Sequence, residues 1–279
     1  MNDALVSLLT GLGDDELVLG HRHSEWTGYA PHIEEDVAFS SIAQDEIGHA
    51  AAYYSLVAEV TGGNADALAL GRPADDYRHA LLCERPNGDW AFTLARHWLY
   101  DHADALRLET LEESSHEGIA ALARKIRREE RYHLIHADTW IKRVAHGPAE
   151  GRSKLIDAMA RAWPEARGLF EPFDGEEEAV YEGLLATPSA KLATRWIKHT
   201  AETLDELGLP TEIHGRADES AEFVASSSGD LIEDTTRGAV EETGAPDGFG
   251  GRRGRHSDDF TELWDVMTGQ YRAHPGATW

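Results

Sequence analysis

The stretch QDEIGHA, residues 44–50, places a carboxylate and an imidazole three residues apart, in Glu46 and His49. REERYHLIHA, residues 128–137, repeats the same spacing. Residues three apart share one face of an α-helix, about one turn from each other, so each pair offers two ligands to one ion. A dinuclear carboxylate site needs one Glu-x-x-His motif from each of two helices in a four-helix bundle. The two stretches therefore favour a helical bundle, provided that helices of the right length surround them.

Apolar residues recur at helical spacing through the first half of the chain, and they predict four long helices. We expect these helices at residues 14–30, 33–61, 89–115 and 117–146. Residues 61–88 contain Gly62, Gly63, Pro73 and Pro86 and predict a long irregular connection between the second and third helices. Two antiparallel helix pairs joined by one long crossover are the topology of a ferritin-like four-helix bundle. The fold class expected from the sequence is therefore all-α and ferritin-like.

The second half of the chain predicts shorter helices that wrap the bundle. We expect them at residues 151–162, 174–186 and 189–207, with one more after Ser257. The sequence WPEARG, residues 163–168, is expected to stop the first of these helices, and residues 208–258 are rich in loop-forming residues. Because no clean boundary separates the two halves, we expect one ferritin-like domain over residues 1–279, with a core bundle at about 12–147 and an extension at about 148–279.

The remaining two long helices must each supply one carboxylate if a dinuclear site is to form. Glu16 lies on the apolar stripe of the first helix and Asp101 on that of the third. Glu16 precedes Glu46 by 30 residues (46 − 16), and Asp101 precedes Glu130 by 29 (130 − 101), as two similar hairpins require if the four acids meet at one height. The candidate metal ligands are thus Glu16, Glu46, His49, Asp101, Glu130 and His133.

Other acids and histidines compete for this role. We expect four acids to fall off the apolar stripes and one to lie too near the first turn: Asp14, Asp15, Asp104 and Glu109, and then Glu25. Five histidines are expected on the surface or beside the ligands: His21, His23, His97, His102 and His136. An alternative interpretation makes all six candidates partly solvated groups of a very acidic bundle. If the stripes face inward, a metal ion or protons must compensate four buried carboxylates. Oxygen and imidazole ligands without thiolate suit iron or manganese.

Net charge excludes several classes of partner. The 51 Asp and Glu residues exceed the 26 Lys and Arg residues, which gives a formal charge of −25. Such a field repels nucleic acid and anionic membrane surfaces, and no run of about 20 apolar residues predicts a membrane helix. We expect a cytoplasmic protein, since the first residues lack a basic leader, and the acidic, lysine-poor composition favours a high-salt organism. The only cysteine, Cys83, is expected to be buried, with no disulfide and no cysteine-based zinc site.

Four blocks of the chain resemble the C subunits of phenylacetyl-CoA epoxidase. The first is LGDDELVLGHRHSEWTGYAPHIEEDVAFSSIAQDEIGHA, residues 12–50, which is similar to the N-terminal half of that family. LLCERPNGDWAFTLARHWLYDHADALRLETLEESS, residues 81–115, and EERYHLIHADTWIKRVAHG, residues 129–147, continue the resemblance in order. GRRGRHSDDFTELWDVMTGQYRAHPGATW, residues 251–279, resembles the family's C-terminal signature. The resemblance covers nearly the whole chain except residues 208–245.

The resemblance implies a role that motif spacing alone does not give. The C subunits of this family are ferritin-like and pair with a homologous catalytic A subunit, which holds a di-iron centre and binds the coenzyme A thioester. A separate reductase subunit with flavin and an iron–sulfur cluster passes on electrons from NADPH, and small accessory subunits complete the complex. The complex inserts one oxygen atom of O₂ into the aromatic ring and gives the ring-1,2-epoxide in aerobic phenylacetate catabolism.

The best-known C subunits carry a degenerate metal site, whereas this chain keeps a full candidate ligand set for dinuclear iron or manganese. Whether such a site is a relic, a stabilising site or an active one stays open at this point. Two alternatives also remain, a stand-alone ferritin-like di-iron oxidase or metal-storage protein, and a structural bundle without metal. The long extension argues against a storage protein, because storage bundles end soon after the fourth or fifth helix.

The stretch GGRRGRH, residues 250–256, is a cationic island in this acidic chain. Arginine suits bidentate contacts with phosphate, so one interpretation is a contact with coenzyme A. The other interpretation is that these arginines pair with acids of the same chain or of a partner protein. We favour the second, because the chain has a large surplus of acids.

Overall fold

The computed structural model describes residues 3–210, 213 and 248–277. Over that part of the chain, the secondary structure consists of ten α-helices with short 3₁₀ turns, and there is no β-strand. The helices are α1 Asp3–Ser24, α2 Ile33–Thr61, α3 Ala65–Leu70, α4 Leu81–Glu84, α5 Trp90–Glu112, α6 Glu117–Ala145, α7 Ala149–Ala166, α8 Glu176–Tyr181, α9 Ser189–Glu206 and α10 Asp258–Ala273. The all-α, ferritin-like fold class is confirmed. None of the described helices combines the length and the apolar character needed to cross a membrane.

The four long helices pack as two hairpins, α1 with α2 and α5 with α6, and residues 62–89 cross between them. This connection is less irregular than expected, since it contains α3 and α4. Asn64 caps α3 by accepting a hydrogen bond from the backbone N–H of Ala67. Asp89 caps α5 in the same way through the N–H of Phe92. The crossover therefore ends on a defined start of the third long helix.

The first helix is displaced from its predicted bounds, because it runs from Asp3 to Ser24 rather than over residues 14–30. Gly11 and Gly13 lower the helix propensity in its middle, which made the helix seem to begin after them. Packing overrides that local preference. A Cβ atom at Gly13 would lie 3.1 Å from the ring of Tyr54, so this glycine lets α1 approach α2 closely. Every residue from 11 to 20 is buried, so α1 is the central helix of the molecule.

The extension packs mainly on the outer face of α5 through α7 and α9. The indole rings of Trp163 and Trp196 stack with centroids 4.9 Å apart, and Trp196 Nε1 donates a hydrogen bond to Leu99 O at 3.1 Å. The helix expected at 151–162 extends further than predicted, since α7 continues through Pro164 and ends at Ala166, inside WPEARG. Ala166 in the last turn is buried, so packing holds the turn despite the hydrogen bond that proline removes.

Of two other helices predicted in the extension, one is shorter than expected and the other is confirmed. The helix expected at 174–186 is shorter, since α8 covers only Glu176–Tyr181 between Gly175 and Gly183, which both adopt positive φ. The helix expected at 189–207 is confirmed by α9. Most of the loop-rich stretch expected at 208–258 lies outside the described residues.

The C-terminal segment, residues 248–257, enters the interior of the molecule instead of lying on its surface. Arg252 is 6% exposed, and its Nη2 lies 2.6 Å from Asp15 Oδ2 on α1. Arg253 pairs with Asp174. These two contacts confirm that arginines of this stretch pair with acids of the same chain. Cys83 is fully buried, as expected.

Candidate metal centre

The two Glu-x-x-His motifs face each other across α2 and α6. Glu46, His49, Glu130 and His133 are each only 1–2% exposed, so the alternative of solvated surface groups is wrong for them. His49 Nδ1 lies 3.3 Å from Glu130 Oε1, and His133 Nδ1 lies 3.0 Å from the same oxygen. Glu130 thus stands between the two imidazoles.

The first helix brings Glu16 to the same place. His49 Nδ1 lies 3.2 Å from Glu16 Oε2, and donor atoms of Glu16, His49 and Glu130 all fall within 4.8 Å of one another. Tyr100 on α5 donates a hydrogen bond from its hydroxyl group to Glu16 Oε1 at 2.7 Å. Gly20 permits the approach of α1, since a Cβ atom there would lie 2.9 Å from the Ile47 side chain, one residue beyond Glu46.

Asp101 and Glu46 carry buried oxygens that lack hydrogen-bond donors. Neither side-chain oxygen of Asp101 has a hydrogen-bond partner within the described part of the chain, although Oδ2 lies 3.2 Å from His97 Nδ1. Glu46 Oε2 lies 2.9 Å from His23 Nδ1, while its Oε1 also lacks a partner among the described residues. A buried acceptor without a donor costs about 1–3 kcal/mol. A proton or a metal cation at these oxygens would remove that cost.

The outer nitrogens of the two ligand histidines contact a reciprocal pair of carboxylates. His49 Nε2 on α2 lies 2.9 Å from Glu129 Oε2 on α6, and His133 Nε2 on α6 lies 3.4 Å from Asp45 Oδ2 on α2. Histidines that bind metal commonly direct the second nitrogen to a carboxylate, which fixes the ring and its tautomer. Asp45 and Glu129 are not among the residues predicted from the sequence. The signal was present, because each of them directly precedes the glutamate of a motif.

Burial and neighbouring charges shift the pKa values of the candidate ligands in the metal-free chain. Burial and the neighbouring carboxylate of Glu16 raise the pKa of Glu46 well above its ordinary value. Burial, with the charge of Glu130, does the same to the pKa of Asp101. Burial opposes the charged form of His49, yet its hydrogen bonds with Glu130 and Glu16 raise its pKa to about 11. Burial and the neighbouring charges therefore favour protonated forms of these groups in the metal-free centre, where metal ions would otherwise balance the charge.

Three of the competing acids are buried, so the expectation that they fall off the inward stripes was wrong. Asp14, Asp15 and Asp104 are 0–2% exposed. The physical reason is that α1 is enclosed on every side by α2, the crossover and α5, so it has no outer face for Asp14 and Asp15. Glu109 and Glu25 form partly exposed pairs with Arg195 and Arg22, in keeping with their exclusion.

The buried competitors are held by guanidinium groups. Asp14 pairs with Arg72 and accepts a hydrogen bond from the Tyr54 hydroxyl group at 2.5 Å. Asp15 Oδ2 lies 2.7 Å from Arg107 Nη1, and the same arginine donates to Asp104 Oδ1 at 3.0 Å. Asp14 and Asp15 serve as counter-ions of arginine, whereas burial raises the pKa of Asp104 to about 8 although Arg107 lies beside it.

The five competing histidines divide into two groups. His23 and His97 are fully buried, and they contact Glu46 and Asp101. Both therefore lie beside the candidate ligands, which was one of the two positions expected for these histidines. His21, His102 and His136 are half-buried.

Comparison with known proteins identifies the family. Residues 1–223 match the family described as phenylacetic acid catabolic protein. The chain is 33% identical over 204 residues to the C subunit of the 1,2-phenylacetyl-CoA epoxidase of Escherichia coli K12, which covers 72% of this chain and 82% of that protein. It is 24% identical over 202 residues to the A subunit of the same organism's epoxidase, covering 68% of this chain and 65% of that protein. The protein therefore belongs to the phenylacetic acid catabolic protein family.

Proposed function

We propose that this chain is a C-type subunit of a phenylacetyl-CoA 1,2-epoxidase, working in the cytoplasm beside a homologous catalytic A-type subunit. The observation that carries the proposal is the similarity to the Escherichia coli C subunit over 82% of that protein, which exceeds the similarity to the A subunit in identity and in coverage. The complex would use O₂, with electrons from NADPH delivered by a reductase that carries flavin and an iron–sulfur cluster. Small accessory subunits would complete it.

The same proposal includes a dinuclear site in this chain. Glu16, Glu46, His49, Asp101, Glu130 and His133 would hold two iron or manganese ions. The support is the set of partnerless buried oxygens together with two imidazoles whose Nδ1 atoms face Glu130. When bound there, ferrous ions would supply electrons for the reduction of O₂.

The surrounding residues have defined parts in holding this site. Tyr100 orients Glu16 through its hydroxyl group, and Asp45 and Glu129 keep the outer nitrogens of the histidines engaged so that Nδ1 of each ring faces inward. Phe39 is fully buried, and its ring packs against His23 and His97, which contact Glu46 and Asp101, so it helps to exclude water from this part of the bundle. Exclusion of water strengthens every charge interaction at the centre.

Co-expression with the A-type homologue from the same genome tests the proposed role. We expect the two chains to co-purify as a hetero-oligomer and, with the reductase, to form the epoxide from phenylacetyl-CoA. Failure to associate, together with a spherical homo-oligomer, would instead favour a ferritin-like oxidase or storage protein. The buried Arg252 of the C-terminal segment argues against that alternative, because it makes the extension part of the bundle interior.

A further inference from the structure

A second cluster of metal-binding side chains shares no residue with the dinuclear centre. It consists of His79 in the crossover, Glu84 at the end of α4 and His256 in the C-terminal segment. Glu84 Oε2 lies 2.7 Å from His79 Nε2 and 2.9 Å from His256 Nδ1. The side chains of His79 and Glu84 are fully buried, and that of His256 is 5% exposed.

If His256 is neutral, the cluster has too few N–H groups to place a hydrogen bond at each of its close contacts. His256 Nε2 lies 3.0 Å from Tyr77 O, and a carbonyl oxygen only accepts, so the hydrogen of the ring is on Nε2. A neutral imidazole has one N–H group, so Nδ1 then presents a lone pair to Glu84 Oε2, which is also an acceptor. Two acceptors 2.9 Å apart need a positive species between them, either a proton or a metal ion.

Two other polar atoms of the cluster, Glu84 Oε1 and His256 Nε2, form contacts that leave Glu84 Oε2 and His256 Nδ1 facing each other. Glu84 Oε1 accepts a hydrogen bond from the backbone N–H of Ser257 at 2.7 Å, which leaves Oε2 for the imidazoles. A backbone carbonyl on the second nitrogen, as Tyr77 provides for His256, is a usual outer contact of a metal-binding histidine.

The rings of His79 and His256 stack with centroids 4.1 Å apart and 13° between their planes. Because an ion lies close to the plane of each imidazole that binds it, one ring must turn for both to share an ion. His79 Nδ1 has no hydrogen-bond partner within the described part of the chain, so no hydrogen bond at that atom opposes a turn of this ring.

We propose that His79 Nε2, Glu84 Oε2 and His256 Nδ1 form a mononuclear site for a first-row divalent metal ion. Two imidazoles and one carboxylate match the donor set that zinc uses when three protein ligands leave one position for water. The site joins the crossover to the segment that leads into α10. Bound metal would thus fix the C-terminal segment on the bundle.

The test uses the full chain with Glu46→Ala and His133→Ala, which disables the dinuclear centre. Titration of this variant with Zn²⁺ is expected to show one ion per chain with a Kd below about 1 μM, and to raise its Tm. Co²⁺ is expected to give visible absorption bands of nitrogen and oxygen coordination. Adding His256→Gln should weaken Zn²⁺ binding at least about 100-fold, since even an outer contact of a ligand contributes about 10–100-fold.

The matched control is His102→Gln, because His102 also pairs with a carboxylate, that of Asp138, but lies outside the cluster. It should leave Zn²⁺ affinity unchanged. If His256→Gln does not fold, Glu84→Gln provides the same comparison, and metal counts of the saturated wild-type chain should exceed those of either variant by one ion. The proposal would be overturned if the variant with Glu46→Ala and His133→Ala does not bind Zn²⁺ tightly and its Tm changes with neither Zn²⁺ nor a chelator. The species between His256 Nδ1 and Glu84 Oε2 would then be a proton. Either result leaves the proposed role in the epoxidase untouched, because that role rests on association with the A-type homologue.

Discussion

Asp15 and Glu16 are adjacent acids of α1, and both are buried, but the groups that surround them are chemically opposite. Asp15 is enclosed by the guanidinium groups of Arg107 and Arg252, which together with the backbone N–H of Ala80 keep its pKa lowered although burial alone would raise it. Glu16, the next residue, faces His49 and Glu130 and accepts from Tyr100. Burial is equal in the two places, so the counter-charge distinguishes a structural acid from a candidate ligand. Arginine supplies it at Asp15, whereas an exchangeable proton or metal ion must supply it around Glu16.

The largest effect is expected where arginine is the counter-charge. Arg252→Ala leaves Asp15 buried with one guanidinium group fewer, and loss of one partner of a buried ion pair costs about 3–5 kcal/mol. Denaturant unfolding of the metal-free chain measures the change in the free energy of unfolding. Arg253→Ala is the matched control, because its partner Asp174 is largely exposed and such pairs contribute about 0–1 kcal/mol. Equal losses from the two variants would contradict the contrast between buried and exposed pairs.

Glu46→Gln tests the other side of the contrast. Burial raises the pKa of Glu46 well above its ordinary value and so favours the neutral carboxyl group in the metal-free chain, where we expect an amide of similar shape to replace it at a cost of less than about 1 kcal/mol. Anaerobic loading with Fe²⁺ or Mn²⁺ should give about two ions per wild-type chain at the dinuclear centre, in addition to any ion at the site of His79, Glu84 and His256. The variant should lose at least about 10-fold in metal affinity.

Metal analysis after removal of free ions measures this loss, and denaturant unfolding measures the stability. No bound iron or manganese in the wild-type chain would refute the dinuclear site. A large loss of stability in the metal-free variant would show instead that Glu46 acts as a structural charge, like Asp15.

The carboxylates of Asp45 and Glu129 test the same contrast between structural acids and candidate ligands, with a smaller expected effect. Asp45→Asn and Glu129→Gln each remove a charge from the outer nitrogen of a candidate ligand histidine, and such changes cost about 10–100-fold in metal affinity. Equilibrium titration with Mn²⁺ measures the affinities. Glu34→Gln, an exposed position on the same helix as Asp45, should leave them unchanged. Equal Mn²⁺ affinities of all three variants would mean that the histidines are not held through their outer nitrogens.

The pH dependence of stability gives the smallest signal. Burial raises the pKa of Asp104 to about 8, so its contribution to stability is complete below its ordinary pKa of 3.8 and is lost as the pH rises toward 8. His49, with a pKa raised to about 11, likewise contributes below 6.5 and loses that contribution as the pH rises.

The metal-free chain should therefore show a falling Tm between pH 6.5 and about 8, where the contributions of both groups are being lost. Metal loading should flatten the slope, since bound ions replace the protons. Asp104→Asn should reduce the slope of the metal-free chain, and an unchanged slope would mean that Asp104 is not the group that titrates there.

Local sequence pattern determined much of this protein. The i, i+3 spacing in QDEIGHA and REERYHLIHA, with acids 30 and 29 residues upstream, was sufficient to place six candidate ligands on four helices. All six are buried in the bundle, because helical periodicity fixes which side chains share a face. The resemblance to the C-type chains of phenylacetyl-CoA epoxidase added the family, which the comparisons confirm.

Contacts between residues distant in the chain were decided only by the tertiary structure. The burial of Asp14 and Asp15 depends on the crossover and the C-terminal segment covering α1, and the start of α1 at Asp3 depends on packing that outweighs the helix propensity of Gly11 and Gly13. Asp15 and Arg252 are 237 residues apart, and His256 reaches Glu84 across 172. No periodicity or spacing encodes such meetings, because they follow from the path of the whole chain. The sequence therefore predicted the candidate ligands, whereas the tertiary structure determines which buried acids have arginine as their counter-charge.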